Sequence, residues 1–176
     1  MATEPILIPD ATTQPAEYKQ ALLDLIGEAD PIGTLGSTVE NWRAVTRDLT
    51  TEQLTAQPVD GEWSVAQITG HLFDVDLVYG FRWRLMLTED NPSYPGYDEK
   101  LWTPMPRLPF PQLLEAWSGL RASNMVVLQA NWPAKAQRSA NHSEQGPETL
   151  DVTVRKIAAH DLAHLNQMQR AAEAAV

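Results

Sequence analysis

Residues 64–79 read SVAQITGHLFDVDLVY, and this stretch has the apolar spacing of an amphipathic helix. Ser64 and Gln67 form the pattern of a capping box, in which each side chain bonds a backbone amide at the start of a helix. Apolar residues then recur at three- and four-residue steps on one face, and His71 lies at the border of that face. We therefore predict a helix that begins after Ser64 and reaches Leu87.

Other segments carry the same helical periodicity. Apolar residues recur every three or four positions over residues 32–49, 111–128 and 152–174. A shorter amphipathic pattern ends before Pro31, and no segment shows a convincing strand pattern. The sequence thus predicts an all-α fold, a helical bundle with an extra short N-terminal helix. We expect residues 1–14 to form a flexible or extended arm and residues 15–176 to form a single domain.

A proline-rich segment, residues 91–109 (NPSYPGYDEKLWTPMPRLP), connects the second long helix to the third. It is long enough to span the length of a bundle, because an extended residue covers about 3.3 Å. The second and third long helices can therefore run parallel. Its aromatic residues Tyr94, Tyr97 and Trp102 allow two interpretations, a cap over the mouth of the bundle or simple packing within the loop.

Composition narrows the range of functions. The 176 residues include no cysteine, which excludes disulfides, thiolate catalysis and cysteine zinc sites, so any thiol chemistry needs a thiol from a substrate. The formal net charge of −10 disfavours nucleic acid and anionic membranes as partners. No apolar run is long enough to cross a bilayer, and the N-terminus lacks the pattern of a secretory signal. We expect a cytoplasmic protein that acts on a small molecule.

The spacing of the histidines indicates a metal site. His160 and His164 lie four residues apart on the last predicted helix, one turn above each other on the same face. Their imidazoles can converge on one ion, and His71 on another helix can supply a third nitrogen, because bundle cores commonly house metals. The alternative is that these are hydrogen-bonded core histidines. The fourth histidine, His142, lies in a polar loop, and we interpret it as solvated.

Two carboxylates flank the candidate ligands. Asp74 follows His71 by three residues, and Asp161 directly follows His160. Either can accept a hydrogen bond from the non-ligating nitrogen of a histidine ring and so fix its tautomer. The other interpretation is a solvated carboxylate on a helix face. No Ser-His-Asp pattern, glycine-rich phosphate loop or pair of catalytic carboxylates stands out, so the catalytic residues stay unassigned.

Three runs of sequence resemble those of a known family. Residues 61–76, GEWSVAQITGHLFDVD, resemble the second helix of DinB-like proteins, where a tryptophan and a serine precede a helix with the first metal histidine. Residues 158–170, AAHDLAHLNQMQR, resemble the family's last helix, with two metal histidines and a trailing glutamine. Residues 94–102, YPGYDEKLW, are similar to members described as metal-dependent hydrolases and bacillithiol transferases. The resemblance covers residues 32–172.

The resemblance implies a four-helix bundle with up-down-down-up topology. It also implies a divalent metal, zinc or nickel, bound by His71, His160 and His164, and a homodimer. Some members transfer a low-molecular-weight thiol such as bacillithiol or mycothiol to electrophiles, and others isomerise maleylpyruvate with a thiol cofactor. The leading hypothesis is a metal-dependent thiol S-transferase acting on small electrophiles. A metal-dependent hydrolase and a non-catalytic, stress-related metal-binding protein are the alternatives.

Overall fold

The structure is a computed structural model that describes residues 3–59 and 61–175. Along these residues it has seven helices and three short strands. In chain order they are α1 (Pro15–Ile26), α2 (Pro31–Thr46), α3 (Thr51–Thr55), α4 (Val65–Thr88), β1 (Ser93–Tyr94), α5 (Glu99–Trp102), α6 (Phe110–Asn131), β2 (Ser139–His142), β3 (Gly146–Thr149) and α7 (Leu150–Ala174).

Helices α4 and α6 run in the same direction. Trp117 in the first half of α6 donates a hydrogen bond to Asp76 of α4, and about two turns further along both helices Arg84 of α4 donates to Asn124 of α6. Contacts that advance together along two helices identify a parallel pair. The long connection between α4 and α6 thus crosses back over the length of the bundle, as its proline-rich sequence predicted.

Helices α4 and α7 run in opposite directions. His71, near the start of α4, lies beside His160 near the middle of α7, whereas Trp83, near the end of α4, donates to Thr153 at the start of α7. The antiparallel arrangement brings the first two turns of α4 next to the histidine pair of α7. This arrangement positions the candidate site.

Helix α2 is antiparallel to α6 and completes the bundle. Arg121 of α6 donates to the carbonyl oxygen of Leu35 in the first half of α2, and Arg43 in the second half pairs with Glu115 near the start of α6. The directions of α2, α4, α6 and α7 are therefore up, down, down and up. The predicted topology is confirmed, and so is the extra N-terminal helix α1.

The start of α4 is the one the sequence predicted. Ser64 Oγ accepts a hydrogen bond from the backbone N–H of Gln67 at 3.3 Å, and Gln67 Oε1 accepts one from the backbone N–H of Ser64 at 2.9 Å. These reciprocal bonds satisfy two amides that have no partner within the helix. A second capping box, Thr50 with Gln53, begins the short helix α3.

The segment before α1 is extended and lies along α7. The backbone N–H of Ile6 donates to Asn166 Oδ1 at 3.0 Å, and Asn166 Nδ2 donates to the carbonyl oxygen of Glu4 at 2.8 Å. The division of the chain at residue 15 into arm and domain stays a prediction. Residues 1 and 2 of the predicted arm and residue 176 of the predicted domain lie outside the described residues.

The expectation of no strand was wrong. β1 pairs in parallel with β2, and β2 pairs antiparallel with β3, forming a small sheet. Strands of two and four residues are too short to show a reliable alternation of apolar and polar residues, so contacts distant in sequence decide them. Arg138, just before β2, donates to the carbonyl oxygens of Met86 and Glu89 at the end of α4. The sheet therefore joins the two long connections to the bundle.

Two clusters of buried apolar side chains form the core. One contains Trp83, Met86 and Leu128, and the other contains Trp42 and Trp117, whose rings meet edge to face with centroids 5.5 Å apart. The clusters lie between the faces that the helical periodicity marked as apolar. None of the described helices is both long and apolar enough to span a bilayer.

Candidate metal centre

The bundle brings three histidine side chains together. His160 Nε2 lies 3.2 Å from His71 Nε2 and 3.1 Å from His164 Nε2. One nitrogen from each ring lies within 4.8 Å of the other two, and no carboxylate of residues 3–59 or 61–175 joins the group. The structure thus assembles the predicted histidine cluster from α4 and α7. That the cluster binds a metal stays a prediction.

The spacing of the ring nitrogens suits a single small ion. Nitrogens bonded to one tetrahedral zinc at about 2.0–2.1 Å lie roughly 3.3 Å from each other. The two short contacts at His160, 3.2 and 3.1 Å, are close to this value. A metal ion at the centre would be a shared partner for all three nitrogen lone pairs. Three imidazoles whose lone pairs face one another cannot satisfy those lone pairs among themselves.

Burial keeps the three rings neutral. Desolvation is the main cause that lowers the pKa of His71 and of His160 well below the usual value, and nearby positive charge adds to it. Desolvation also lowers the pKa of His164, opposed by its hydrogen bond to Gln167. Neutral imidazole is the form that ligates a metal, so the cluster is ready for ligation at neutral pH.

Gln167 and Trp63 surround the cluster. His164 Nδ1 lies 2.8 Å from Gln167 Oε1, so Nδ1–H donates and the lone pair of Nε2 is left for a metal. The Trp63 ring is stacked against His164 with centroids 6.2 Å apart and lies 5.0 Å from His71. The sequence analysis did not assign Gln167 a role, although its position three residues after His164 places it on the same helix face.

The two flanking carboxylates have other partners. Asp74 pairs with Arg107 at 2.5 Å, and Asp161 pairs with Arg121 at 2.6 Å. Neither accepts a hydrogen bond from a histidine ring, and neither is solvated, so both interpretations drawn from the sequence were wrong. The side chain of each points at an arginine on the following connection or on α6, which helical spacing on one helix cannot reveal.

His142 is buried, so the interpretation that it is solvated was wrong. It lies on β2 with 5% of its surface exposed, and its Nδ1 accepts backbone N–H bonds from Glu144 and Gln145. The ring proton is therefore on Nε2. Burial, with the positive charges of Arg82 and Lys156, lowers the pKa of His142 to about 4. The tight turn after β2 buries this ring, although the polar composition of the loop indicates exposure to solvent.

A cavity of about 370 Å³ lies beside the three histidines. Along α4 it is lined by His71, Val75, Tyr79 and Arg82, which share one helix face, so it extends from the histidines toward the sheet. Both long connections contribute to its wall. Tyr97 lines the cavity and packs against Trp102 with ring centroids 4.8 Å apart, whereas Tyr94 is buried in the core. Tyr97 and Trp102 therefore pack within the connection beside the cavity, whereas Tyr94 lies in the bundle core, a place that neither interpretation gave it.

Relatives of known sequence resemble the chain over most of its length. A protein of Bacillus mycoides named "Putative metal-dependent hydrolase" is 29% identical over 120 residues, which cover 67% of this chain and 69% of the relative. An Oceanobacillus iheyensis protein with the same descriptive name is 31% identical over 120 residues, covering 67% of this chain and 70% of the relative.

A solved structure shows the same fold. YfiT from Bacillus subtilis, described as a probable metal-dependent hydrolase with an unusual four-helix bundle topology, superposes with a TM-score of 0.73 at 21% identity. The match covers 97% of this chain and 91% of YfiT. The profile of the DinB superfamily matches residues 35–168, a span that includes all three clustered histidines. The chain therefore belongs to the DinB superfamily.

Proposed function

We propose that the protein is a divalent-metal-dependent thiol S-transferase that acts on small electrophiles. The supporting observation is the donor set, three neutral imidazoles beside a cavity of about 370 Å³ with no carboxylate of the described residues among them. His71, His160 and His164 would hold the metal, and zinc or nickel suits imidazole ligands. With three protein ligands, a bound metal would have a coordination position free for a substrate.

The bound metal would act as a Lewis acid that lowers the pKa of a thiol or a water molecule at its open position. The protein's own residues prepare that position. Gln167 holds His164 in the tautomer that exposes the Nε2 lone pair, and Trp63 covers two of the imidazoles and limits the access of water. Low access to water strengthens electrostatic effects on the entering nucleophile.

The carboxylates near the histidines favour a thiol over water as the nucleophile. Hydrolysis commonly uses a general base within hydrogen-bond reach of the attacking water. Asp74 and Asp161, the carboxylates that flank the cluster in sequence, are held in ion pairs with Arg107 and Arg121, and Glu62, which lines the cavity, lies 3.9 Å from Arg170. A thiol needs less assistance, because its reference pKa is about 8.5. The chain has no cysteine, so the thiol comes from solution.

In the proposed reaction the thiol proton passes to solvent and the sulfur forms a bond to an electrophilic carbon. The leaving group departs with its bonding electron pair. Trp63, Val75 and Ile157 line the cavity near the histidines and give it apolar walls. Such walls suit a small apolar or aromatic electrophile.

The test uses protein loaded with zinc or nickel, 1-chloro-2,4-dinitrobenzene as electrophile, and glutathione, cysteine or 2-mercaptoethanol as thiol. We expect thioether formation and chloride release that depend on both thiol and metal. His160→Ala should lose this activity, whereas Arg47→Gln, at the exposed residue that follows α2, should retain it. The proposal is rejected if no thiol gives a rate above that of His160→Ala.

A metal-dependent hydrolase is the second candidate, and the names of the relatives favour it. It predicts cleavage of 4-nitrophenyl acetate by the metal-loaded protein in the absence of any thiol, with loss of the activity in His160→Ala. A protein that binds metal and is inactive in both assays would be the non-catalytic alternative. We also propose a homodimer, for which analytical ultracentrifugation is the direct test.

A further inference from the structure

Arg82 is a buried cation without a counter-ion. Only 3% of its surface is exposed, and among the described residues no carboxylate oxygen lies within 4.0 Å of its guanidinium nitrogens. Its Cζ lies 4.8 Å from the centroid of the Tyr79 ring and 4.6 Å from that of Tyr94. Nη2 donates to the carbonyl oxygen of Pro95 at 2.5 Å. Buried charges are normally paired, so this arrangement needs an explanation.

The rest of the guanidinium is available to a ligand. Nε and Nη1 of Arg82 make no hydrogen bond to the described residues. Neither belongs to the fully buried side-chain atoms without a partner, so both remain accessible. Arg82 lines the same cavity as the three histidines. Two aromatic rings and one carbonyl oxygen thus hold the group in place while two of its nitrogens remain free to donate.

His142 supplies a neutral donor at the same end of the cavity. Its ring centroid lies 5.6 Å from that of Tyr94, the ring that also contacts Arg82. Since its Nδ1 accepts two backbone hydrogen bonds, its Nε2 carries the proton. His142 also lines the cavity, and its Nε2 has no hydrogen-bond partner among the described residues.

The charges around this end do not cancel that of Arg82. The nearby buried cation Lys156 already pairs with Glu148 at 2.5 Å. Of the four carboxylates that line the cavity, Asp10 pairs with Lys100 and Glu62 lies 3.9 Å from Arg170, while water screens the half-buried Glu99 and the exposed Glu144. The buried end of the cavity therefore keeps a net positive charge.

We propose that Arg82 and His142 form an anion subsite that binds a carboxylate of the substrate while the reacting group lies at the three histidines. This inference rests on the proposed function for the identity of the reacting group, and on the cavity for the subsite itself. Arginine binds carboxylates through charge-assisted hydrogen bonds, and a neutral imidazole N–H adds a directional donor. The subsite selects elongated, anionic molecules over neutral ones of the same shape.

The distance between Arg82 and the histidines along α4 sets the length of the substrate. His71 and Arg82 are eleven residues apart on α4, a rise of about 16 Å at 1.5 Å per residue. Both side chains point back toward the N-terminus of α4, and the longer arginine side chain reaches further, so the guanidinium and the histidines are separated by less, on the order of 10 Å. An extended alkyl chain with bonds of ~1.5 Å covers this distance in about eight carbons.

The test is calorimetric titration of matched acids and alcohols. Zinc-loaded protein is titrated with 8-mercaptooctanoate and 8-mercaptooctanol, and metal-free protein with octanoate and octanol. We expect wild type to prefer each acid by about tenfold to a hundredfold, the usual range for a charge-assisted hydrogen bond. Arg82→Gln should lose this preference, Arg82→Lys should keep part of it, and His142→Gln should reduce it. The short acid 3-mercaptopropionate should be insensitive to Arg82→Gln.

Arg84→Gln is the matched control, since it removes the same charge from the same helix while its side chain bonds Asn124 outside the cavity. Equal binding of acid and alcohol by wild type overturns the subsite, and so does an equal loss of preference in Arg84→Gln and Arg82→Gln. Binding of the alcohols shows that each variant is folded. If the thiol group adds no affinity on zinc-loaded protein, the proposed transferase fails, while the octanoate and octanol pair still reports on Arg82.

Discussion

His160 and Asp161 are neighbours on α7, yet they belong to buried polar clusters of opposite kinds. His160 faces two other imidazoles, and its Nδ1 is buried with no hydrogen-bond partner among the described residues. Asp161 pairs with Arg121 at 2.6 Å, and Arg121 pairs in turn with Asp76 at 2.8 Å. The first cluster presents lone pairs that lack partners within the protein, and the second satisfies most of its charge internally.

The ionic cluster connects the whole bundle. Arg121 of α6 bonds Asp76 of α4, Asp161 of α7 and the carbonyl oxygen of Leu35 in α2. One guanidinium of α6 therefore bonds the other three long helices. The comparison teaches that buried polar groups bonded to one another hold helices in register, whereas buried polar groups that face a cavity without partners are free for a ligand.

The largest expected effect is on the ionic cluster. Arg121→Met leaves two carboxylates buried without their counter-ion, which should lower the free energy of unfolding by about 3–5 kcal/mol. Urea denaturation of metal-free protein measures it. Arg43→Met, which breaks the exposed pair with Glu115, should cost less than about 1 kcal/mol. Equal losses in the two variants would show that the buried cluster has no special structural role.

The histidine cluster should respond in metal binding. His71→Ala, His160→Ala and His164→Ala each leave two of three ligands, so metal affinity should fall by more than about a hundredfold, beyond the loss typical of an outer partner. Elemental analysis after gel filtration measures retained zinc or nickel, and His142→Ala should retain it. Full occupancy in His71→Ala would mean that the third ligand is wrong, and no metal in wild type would refute the site.

A third test concerns the close approach of α4 and α6 beside the ionic cluster. A Cβ at Gly80 would lie 2.4 Å from Oδ1 of Asn124, whose buried side chain also bonds Asp76. Gly80→Ala should therefore lower the free energy of unfolding by about 1–3 kcal/mol through overpacking. At Gly119 a Cβ meets nothing within 4 Å, so Gly119→Ala should stabilise by up to about 1 kcal/mol. Thermal unfolding of both variants measures whether each substitution lowers or raises the stability.

The smallest expected effect is the pH dependence of stability that comes from His142, a histidine that is buried but is not a candidate metal ligand. His142 has a pKa of about 4 in the folded protein and about 6.5 when unfolded, so between these values the unfolded chain binds the extra proton. Stability therefore falls on acidification, by about 1.4 kcal/mol for this residue between pH 7.5 and 5.5. His142→Gln lacks that loss, so its stability gap to metal-free wild type should shrink by the same amount. A gap that stays constant contradicts a buried neutral His142.

Local patterns were enough for the helices and for the histidine pair. The capping box at Ser64 and the apolar steps of α4 depend on residues three or four apart, as does the shared face of His160 and His164. The sequence by itself therefore determined four long helices, the start of α4 and the candidate ligands. The absence of cysteine also determined that any thiol must come from outside the chain.

Tertiary structure decided what depends on residues far apart in the chain. The partner of Asp74, the burial of His142 and the short strands follow from how the two long connections fold against the bundle, and the partner of Asp161 is Arg121 of α6. The environment of Arg82 is set by Tyr94 and Pro95, which come from a distant connection and contact its guanidinium. Helical periodicity shows which face of a helix is buried, but the chemistry that meets that face is set by contacts between distant segments.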